Sequence, residues 1–224
     1  MTDDSATTPE ITAGLSRLAT ALRTQFHGVV EPEIVDDVVA DSYDRLSTGT
    51  AAAGSLLEST ERLAADRLRA LAHSQDHSTS REPGVLFLCV HNAGRSQMAL
   101  GWFTTLAGDS AVAWSGGSAP ADEINPAAVA VMAEVGIDIS RQFPKPWTDE
   151  FFNAVDVVVT MGCGDSCPLV PAKRYEDWEL DDPSGRPVEQ VRLIRDEIRA
   201  RVVTLLSDLG IDVSSTTPAA REAP

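Results

Sequence analysis

Cysteine is scarce in this sequence: three occur in 224 residues, at positions 89, 163 and 167. Three is too few, and odd in number, for a disulfide framework in a chain this long, so the thiols read as candidates for chemistry in a reducing compartment. Lysine is scarcer still. Only Lys145 and Lys173 are present, and arginine supplies the rest of 18 basic residues against 34 acidic ones. The net charge of −16 argues against nucleic acid as a partner, because a phosphate backbone needs a concentrated cationic face. Long apolar runs are also missing. None approaches the roughly 20 residues that cross a bilayer, and the start MTDDSATTPE lacks the basic cluster and apolar stretch of a secretory signal. These absences predict a cytoplasmic protein with no membrane partner.

What is present is enough apolar content, 43%, for one good core or two modest ones. Before residue 80, apolar residues recur three times at helical spacing: Ile11, Leu15, Leu18, Leu22; then Val35, Val39, Tyr43, Leu46; then Leu56, Leu63, Leu68, Leu71. Breaks at HGVVEPE and STGTAAAG separate them, which predicts a small all-α three-helix bundle over residues 1–80. The polar stretch HSQDHSTSREPG reads as a linker. Beyond it the pattern becomes α/β over residues 81–213, with residues 214–224 expected as a disordered tail. VLFLCV is a wholly apolar strand of the kind buried on both faces of a parallel sheet, and helical spacing follows over 97–106. AVAWSGG and VDVVVTMG read as two further strands, with PAAVAVMAEVG as a helix between them. The clearest helix runs from Val188 to Leu209, with Pro187 before it and Gly210 after it. Such alternation predicts a doubly wound parallel sheet, whose ligand site lies at the carboxyl ends of the strands.

Cys89 sits at such an end, in LFLCVHNAGRS. A loop between strand and helix turns its backbone N–H groups inward, and the following helix adds its positive end, so residues Val90, His91, Asn92, Ala93, Gly94, Arg95 and Ser96 form an anion nest. Arg95 supplies a planar fork for two oxygens of a tetrahedral oxyanion. Those donors, with Ser96, favour a thiolate aimed at the bound anion. The plainer reading is a buried structural cysteine beside a surface arginine.

The run C-V-H-N-A-G-R-S-Q-M-A resembles the catalytic loop of arsenate reductases built on the low-molecular-weight protein tyrosine phosphatase fold. MGCGDSCP, YEDWELDDPSG and IRDEIR extend the resemblance from about Val85 to about Leu209. The resemblance implies that Cys89 is the nucleophile and Arg95 the oxyanion clamp. Asn92 and Ser96 would order the loop, and His91 occupies a variable position with no assigned role. It also implies that Asp182, before Pro183, protonates the departing oxygen, with Asp181 the alternative in the same motif; glycine and proline there are equally compatible with an ordinary solvated turn.

A reductase of arsenate needs a second thiol to attack the sulfur and leave two electrons on arsenic. Cys163 and Cys167 follow the third predicted strand, and the expectation is that Cys163 displaces arsenite while Cys167 relays the disulfide outward. Ser184 and Gly185 stand where phosphatases of this fold carry aromatic residues that hold a phenyl ring. A zinc half-site or a structural thiol pair are the alternatives for C-x3-C, and the four histidines have no ligand spacing, so no metal is expected. No cofactor is expected to be bound; the reductant would be an external thiol, thioredoxin or a mycothiol/mycoredoxin system, with phosphate and sulfate as mimics of arsenate. The bundle resembles three-helix extensions ahead of some bacterial reductases and reads as a dimerisation module of a homodimer, or as a solvated appendage. A tyrosine phosphatase, a mycothiol-coupled reductase and a non-catalytic oxyanion sensor are the competing functions.

Overall fold

The computed structural model describes residues 7–47, 53–76, 78, 81–162 and 173–213. Cys163, Cys167 and the expected tail at 214–224 lie outside the described residues. The chain forms two compact units, Met1–Thr79 with Asp149–Ala154, and Ser80–Thr148 with Val155–Pro224.

The first unit holds α1 (Thr7–Gln25), α2 (Pro32–Leu46), α3 (Ala53–Gln75) and a six-residue helix. The three periodic apolar stripes become three helices because each can bury one face against the other two. Leu18, Leu22, Phe26, Val35, Val38, Val39, Ala64 and Leu68 make their shared core. Pro32 opens α2, where its missing N–H costs no helical bond.

Inside this unit Arg67 of α3 is almost fully buried. Its guanidinium donates to both carboxylate oxygens of Glu150, at 2.7 and 3.1 Å, and to Ser42 Oγ at 2.9 Å, and it lies 2.6 Å from an Asp41 oxygen. Breaking a buried pair leaves a charge without compensation, so Arg67→Ala is expected to cost about 3–5 kcal/mol in urea unfolding. Arg67→Met combined with Glu150→Leu should cost far less, and equal losses would show that packing outweighs the ion pair. Burial opposes ionisation of Asp41, but the hydrogen bond from Arg45 and the charge of Arg67 outweigh it and hold the carboxyl below its ordinary value. Its contribution is therefore complete above the ordinary carboxylate range and is lost as pH falls through the lowered folded value.

The second unit is built on four parallel strands, β1 (Gly84–Cys89), β2 (Val112–Gly117), β3 (Val157–Thr160) and β4 (Arg174–Asp177), in the order β2-β1-β3-β4. α4 (Arg95–Ala107), α5 (Pro126–Ala133) and α7 (Val188–Asp208) complete it, and α6 (Asp149–Ala154) is the short helix of the first unit. All six β1 residues are buried, as a central parallel strand requires. Val85, Phe87, Val157 and Val159 share a core with Met98 and Phe103 of α4 and the α7 stripe Val191, Ile194, Ile198 and Val202. The Phe87 and Phe103 rings meet edge to face with centroids 5.6 Å apart.

The chain leaves β1 for β2 on one side and then crosses back to β3 on the other. The carboxyl end of β1 is thus the topological switch point, the place where a doubly wound sheet opens a crevice. The expected α/β class and the helical bundle ahead of it are both present. Two elements were not anticipated. β4 reads RYED and α6 reads DEFFNA, the first too polar and the second too short to announce itself by periodicity. Among the described residues no helix is long and apolar enough to cross a membrane.

Candidate functional site

Cys89 is the last residue of β1, only 2% exposed, and the chain turns through residues 90–94 before α4 begins at Arg95. The turn needs one backbone conformation that most residues avoid. Asn92 adopts it, with φ of 47°, and it is the only non-glycine residue with positive φ among those described. Asparagine tolerates this region better than most side chains do.

The carbonyls of the turn are drawn outward. Val90 O accepts from Ala119 N–H at 2.9 Å, His91 O from Ala121 N–H at 3.0 Å, and Ala93 O from Asn125 N–H at 2.9 Å. With the carbonyls so occupied, the intervening amides face the opposite way, and the first amides of α4 have no acceptor within their own helix. This is the geometry of an anion nest. Close approach makes it possible: a Cβ on Gly117, which pairs with Cys89 in the sheet, would lie 2.6 Å from Val90 O.

Two donors reach the sulfur. The Asn92 N–H points at Cys89 Sγ from 3.2 Å, and Ser96 Oγ lies 3.0 Å from it. Because Asn92 Nδ2 donates to Ser96 Oγ at 2.9 Å, the serine accepts there and keeps its own proton for the sulfur. Both contacts converge on one buried sulfur.

Arg95 is buried at the first turn of α4, and its guanidinium is held on two sides. Nη2 donates to Asp182 Oδ2 at 2.6 Å and Nη1 to the Leu180 carbonyl at 3.2 Å. The other Asp182 oxygen accepts from Ser184 N–H at 2.8 Å. Pro183 lies over Gly94 so closely that a Cβ there would meet the ring at 2.7 Å, and this contact brings the aspartate loop down onto the nest. Cys89, His91, Arg95, Asn125, Asp182 and Arg186 are among the residues lining one cavity of about 500 Å³. Asp181 points elsewhere, 72% exposed and 3.6 Å from Arg186.

The structure thus gathers Cys89, Asn92, Arg95, Ser96 and Asp182 at one sheet end, with His91 exposed on the rim. Val90, Ala93 and Gly94 shape the turn. Sequence reasoning passed over Asn125, whose side chain caps α5 through Ala127 and Ala128 N–H while its backbone anchors Ala93. Asparagine before proline at a helix start is the signal that identifies it. Gly117 and the loop around Lys145 carried no local signal at all. Among the described residues no three histidine, cysteine or acidic side chains gather as metal ligands would.

Residues 84–215 match the low molecular weight phosphotyrosine protein phosphatase family, and residues 15–72 match a protein-tyrosine-phosphatase-like N-terminal domain. The glutaredoxin arsenate reductase of a Synechocystis species is 40% identical over 130 residues, spanning 56% of this chain and 97% of that protein. The solved thioredoxin-dependent arsenate reductase of Corynebacterium glutamicum is similar with a TM-score of 0.76 and 39% identity, over 88% of this chain and 96% of its own. A solved low molecular weight protein tyrosine phosphatase from T. tengcongensis gives a TM-score of 0.51 at 27% identity, over 57% of this chain and 99% of that one. A cysteine-to-arginine loop between the central strand and its helix, an aspartate-proline loop closed over it and a match across the whole sheet unit agree: the chain belongs to the low molecular weight phosphotyrosine protein phosphatase family, with a phosphatase-like helical domain ahead of the sheet unit.

Proposed function

We propose that this chain is an arsenate reductase acting in the cytoplasm with an external thiol as its reductant and no bound cofactor or metal. The reading is carried by the likeness to the Corynebacterium glutamicum thioredoxin-dependent arsenate reductase, which extends over 88% of the chain and so includes helices as well as sheet unit. Ser184 and Gly185, small residues beside the acid, offer no platform for a phenyl ring. Arsenate needs none.

In this mechanism the nest and Arg95 hold a tetrahedral arsenate above Cys89. The thiolate attacks arsenic, an S–As bond forms, and an arsenate oxygen departs as water after taking a proton from Asp182. Cys163 then attacks the Cys89 sulfur. The S–As bond breaks with its electron pair left on arsenic, so arsenite departs and a Cys89–Cys163 disulfide remains. Cys167 exchanges into that disulfide and presents Cys163–Cys167 to thioredoxin, which supplies the two electrons consumed. Gly162, the sequence neighbour of Cys163, itself reaches the site, since a Cβ there would lie 3.0 Å from Arg95 Nη1. Two copies associate through the helical unit, where Val29 and Ile34 are large apolar side chains left exposed.

The test is arsenite production from arsenate with thioredoxin and its reductase, or mycothiol and mycoredoxin, supplied separately. Sustained turnover with thioredoxin is expected, and Cys167→Ser should release one arsenite per site and stall as a Cys89–Cys163 disulfide found by tryptic mass spectrometry. Turnover by Cys163→Ser and Cys167→Ser with mycothiol alone would replace the relay by a small thiol. Hydrolysis of aryl phosphates without any arsenite formation would return the chain to its phosphatase relatives.

A further inference from the structure

Gln97 is completely buried one residue beyond Ser96, and nothing in the reaction so far uses it. Its amide nitrogen lies 3.0 Å from Asn92 O, 3.0 Å from Asn92 Oδ1 and 3.2 Å from the Phe143 carbonyl. An amide has two hydrogens, so these three acceptors share them. Its own Oε1 is buried and has no partner among the described residues. A buried amide oxygen without a partner is costly, and an apolar side chain of the same length would avoid that cost. The donor end is therefore what this position demands.

What the donor end grips is the one strained residue of the loop. Asn92 at φ of 47° directs its N–H to Cys89 Sγ and its Nδ2 to Ser96 Oγ, while its two oxygens point back. Gln97 takes both oxygens, and Lys145 N–H adds a second bond to Oδ1 at 3.0 Å. The Phe143 contact ties the same amide to the segment that presents Lys145. We propose that Gln97 is a positioning residue for the nucleophile: its amide holds Asn92 in the left-handed conformation that aims the Asn92 N–H at the Cys89 sulfur and its Nδ2 at the Ser96 hydroxyl beside that sulfur. It touches neither sulfur nor substrate. Glutamate would put an acceptor against three acceptors, and methionine would leave Asn92 O without this donor.

The proposal concerns the reactivity of one thiol, and its test needs neither arsenate nor a reductant, so it stands apart from the identity of the substrate. The rate of Cys89 alkylation by iodoacetamide at pH 7 is followed by mass spectrometry of the tryptic peptide 82–95 in the full-length chain. Gln97→Met is expected to slow it about tenfold, the factor that loss of such a hydrogen bond brings. In an Asn92→Ala background the same substitution should change the rate only about threefold, because of the two oxygens that Gln97 holds the side-chain one is gone and the backbone one remains. Gln97→Asn, which keeps a buried amide but withdraws it by one methylene, serves as a second variant and should also slow the reaction. Unaltered alkylation in folded Gln97→Met and Gln97→Asn overturns the proposal. So does an undiminished effect of Gln97→Met on top of Asn92→Ala, since a merely structural glutamine would act independently of Asn92.

Discussion

Cys89→Ser is expected to abolish arsenate turnover, by a factor on the order of 10⁴ or more, while phosphate still binds in the loop with nearly unchanged affinity. Both halves follow from how the site is built. The nest consists of backbone amides whose direction is set by the carbonyl bonds at Val90, His91 and Ala93, and none of these involves the sulfur. Arg95 is held by Asp182 and Leu180, likewise without the sulfur. A serine hydroxyl fits where the thiol was and accepts from the same Asn92 N–H, so the loop keeps its shape. What disappears is the nucleophile, because an alkoxide is far harder to form than a thiolate at neutral pH, and the partners of the sulfur among the described residues, Asn92 N–H and Ser96 Oγ, are not bases that could make one. Calorimetry with phosphate and a mass measurement after arsenate treatment read the two halves separately. Arsenite release from the mutant at more than a trace would remove Cys89 from the chemistry, and loss of phosphate binding would mean that the sulfur also shapes the nest.

The loop was legible before the fold because its signals are local: an apolar strand, a cysteine at its end, small residues, then arginine and serine at a helix start. The same holds for α7, whose stripe from Val191 to Leu205 is buried as its spacing requires. The three N-terminal helices were legible for the same reason, and their core contains Leu18, Leu22, Val35, Val39 and Leu68 from the predicted stripes. The supports of the site were not. Gly117 matters because the sheet register sets it beside Cys89, 28 residues away in the chain, and Lys145 N–H reaches Asn92 across 53 residues. No window of periodicity contains such pairs. β4 was missed because RYED, exposed or half-buried throughout, has no apolar alternation, although the tryptophan that follows it is buried against Phe87 at 5.9 Å. Gln97 illustrates the remaining failure. A reading by helical spacing starts the helix there and treats the residue as part of an amphipathic pattern, whereas α4 begins two residues earlier and turns Gln97 into the loop. Cys163 and Cys167 lie outside the described residues, so their part in the chemistry rests on the assays above.

Asp182→Asn is expected to do two opposite things at once. As the proposed proton donor to the departing oxygen, Asp182 would contribute the usual 10²- to 10⁴-fold of a positioned acid, so formation of the covalent intermediate should slow by about that factor. As the partner of Arg95, however, it competes with the substrate. Its Oδ2 takes the guanidinium at 2.6 Å, the same fork that must bind the oxyanion, and its charge opposes a dianion arriving between them. An incoming arsenate must displace that carboxylate from Arg95 before the guanidinium can take two of its oxygens. The asparagine variant has no charge to displace. Phosphate should therefore bind about three- to tenfold more tightly to Asp182→Asn than to the parent, the scale of one partly screened charge interaction. Asp181→Asn is the control, because that carboxylate is exposed and pairs only loosely with Arg186, and both constants should stay within about twofold of the parent. Rapid-quench measurement of the intermediate and calorimetry with phosphate give the two constants independently. If binding weakens together with the chemistry, Asp182 helps to hold the oxyanion rather than compete for its clamp.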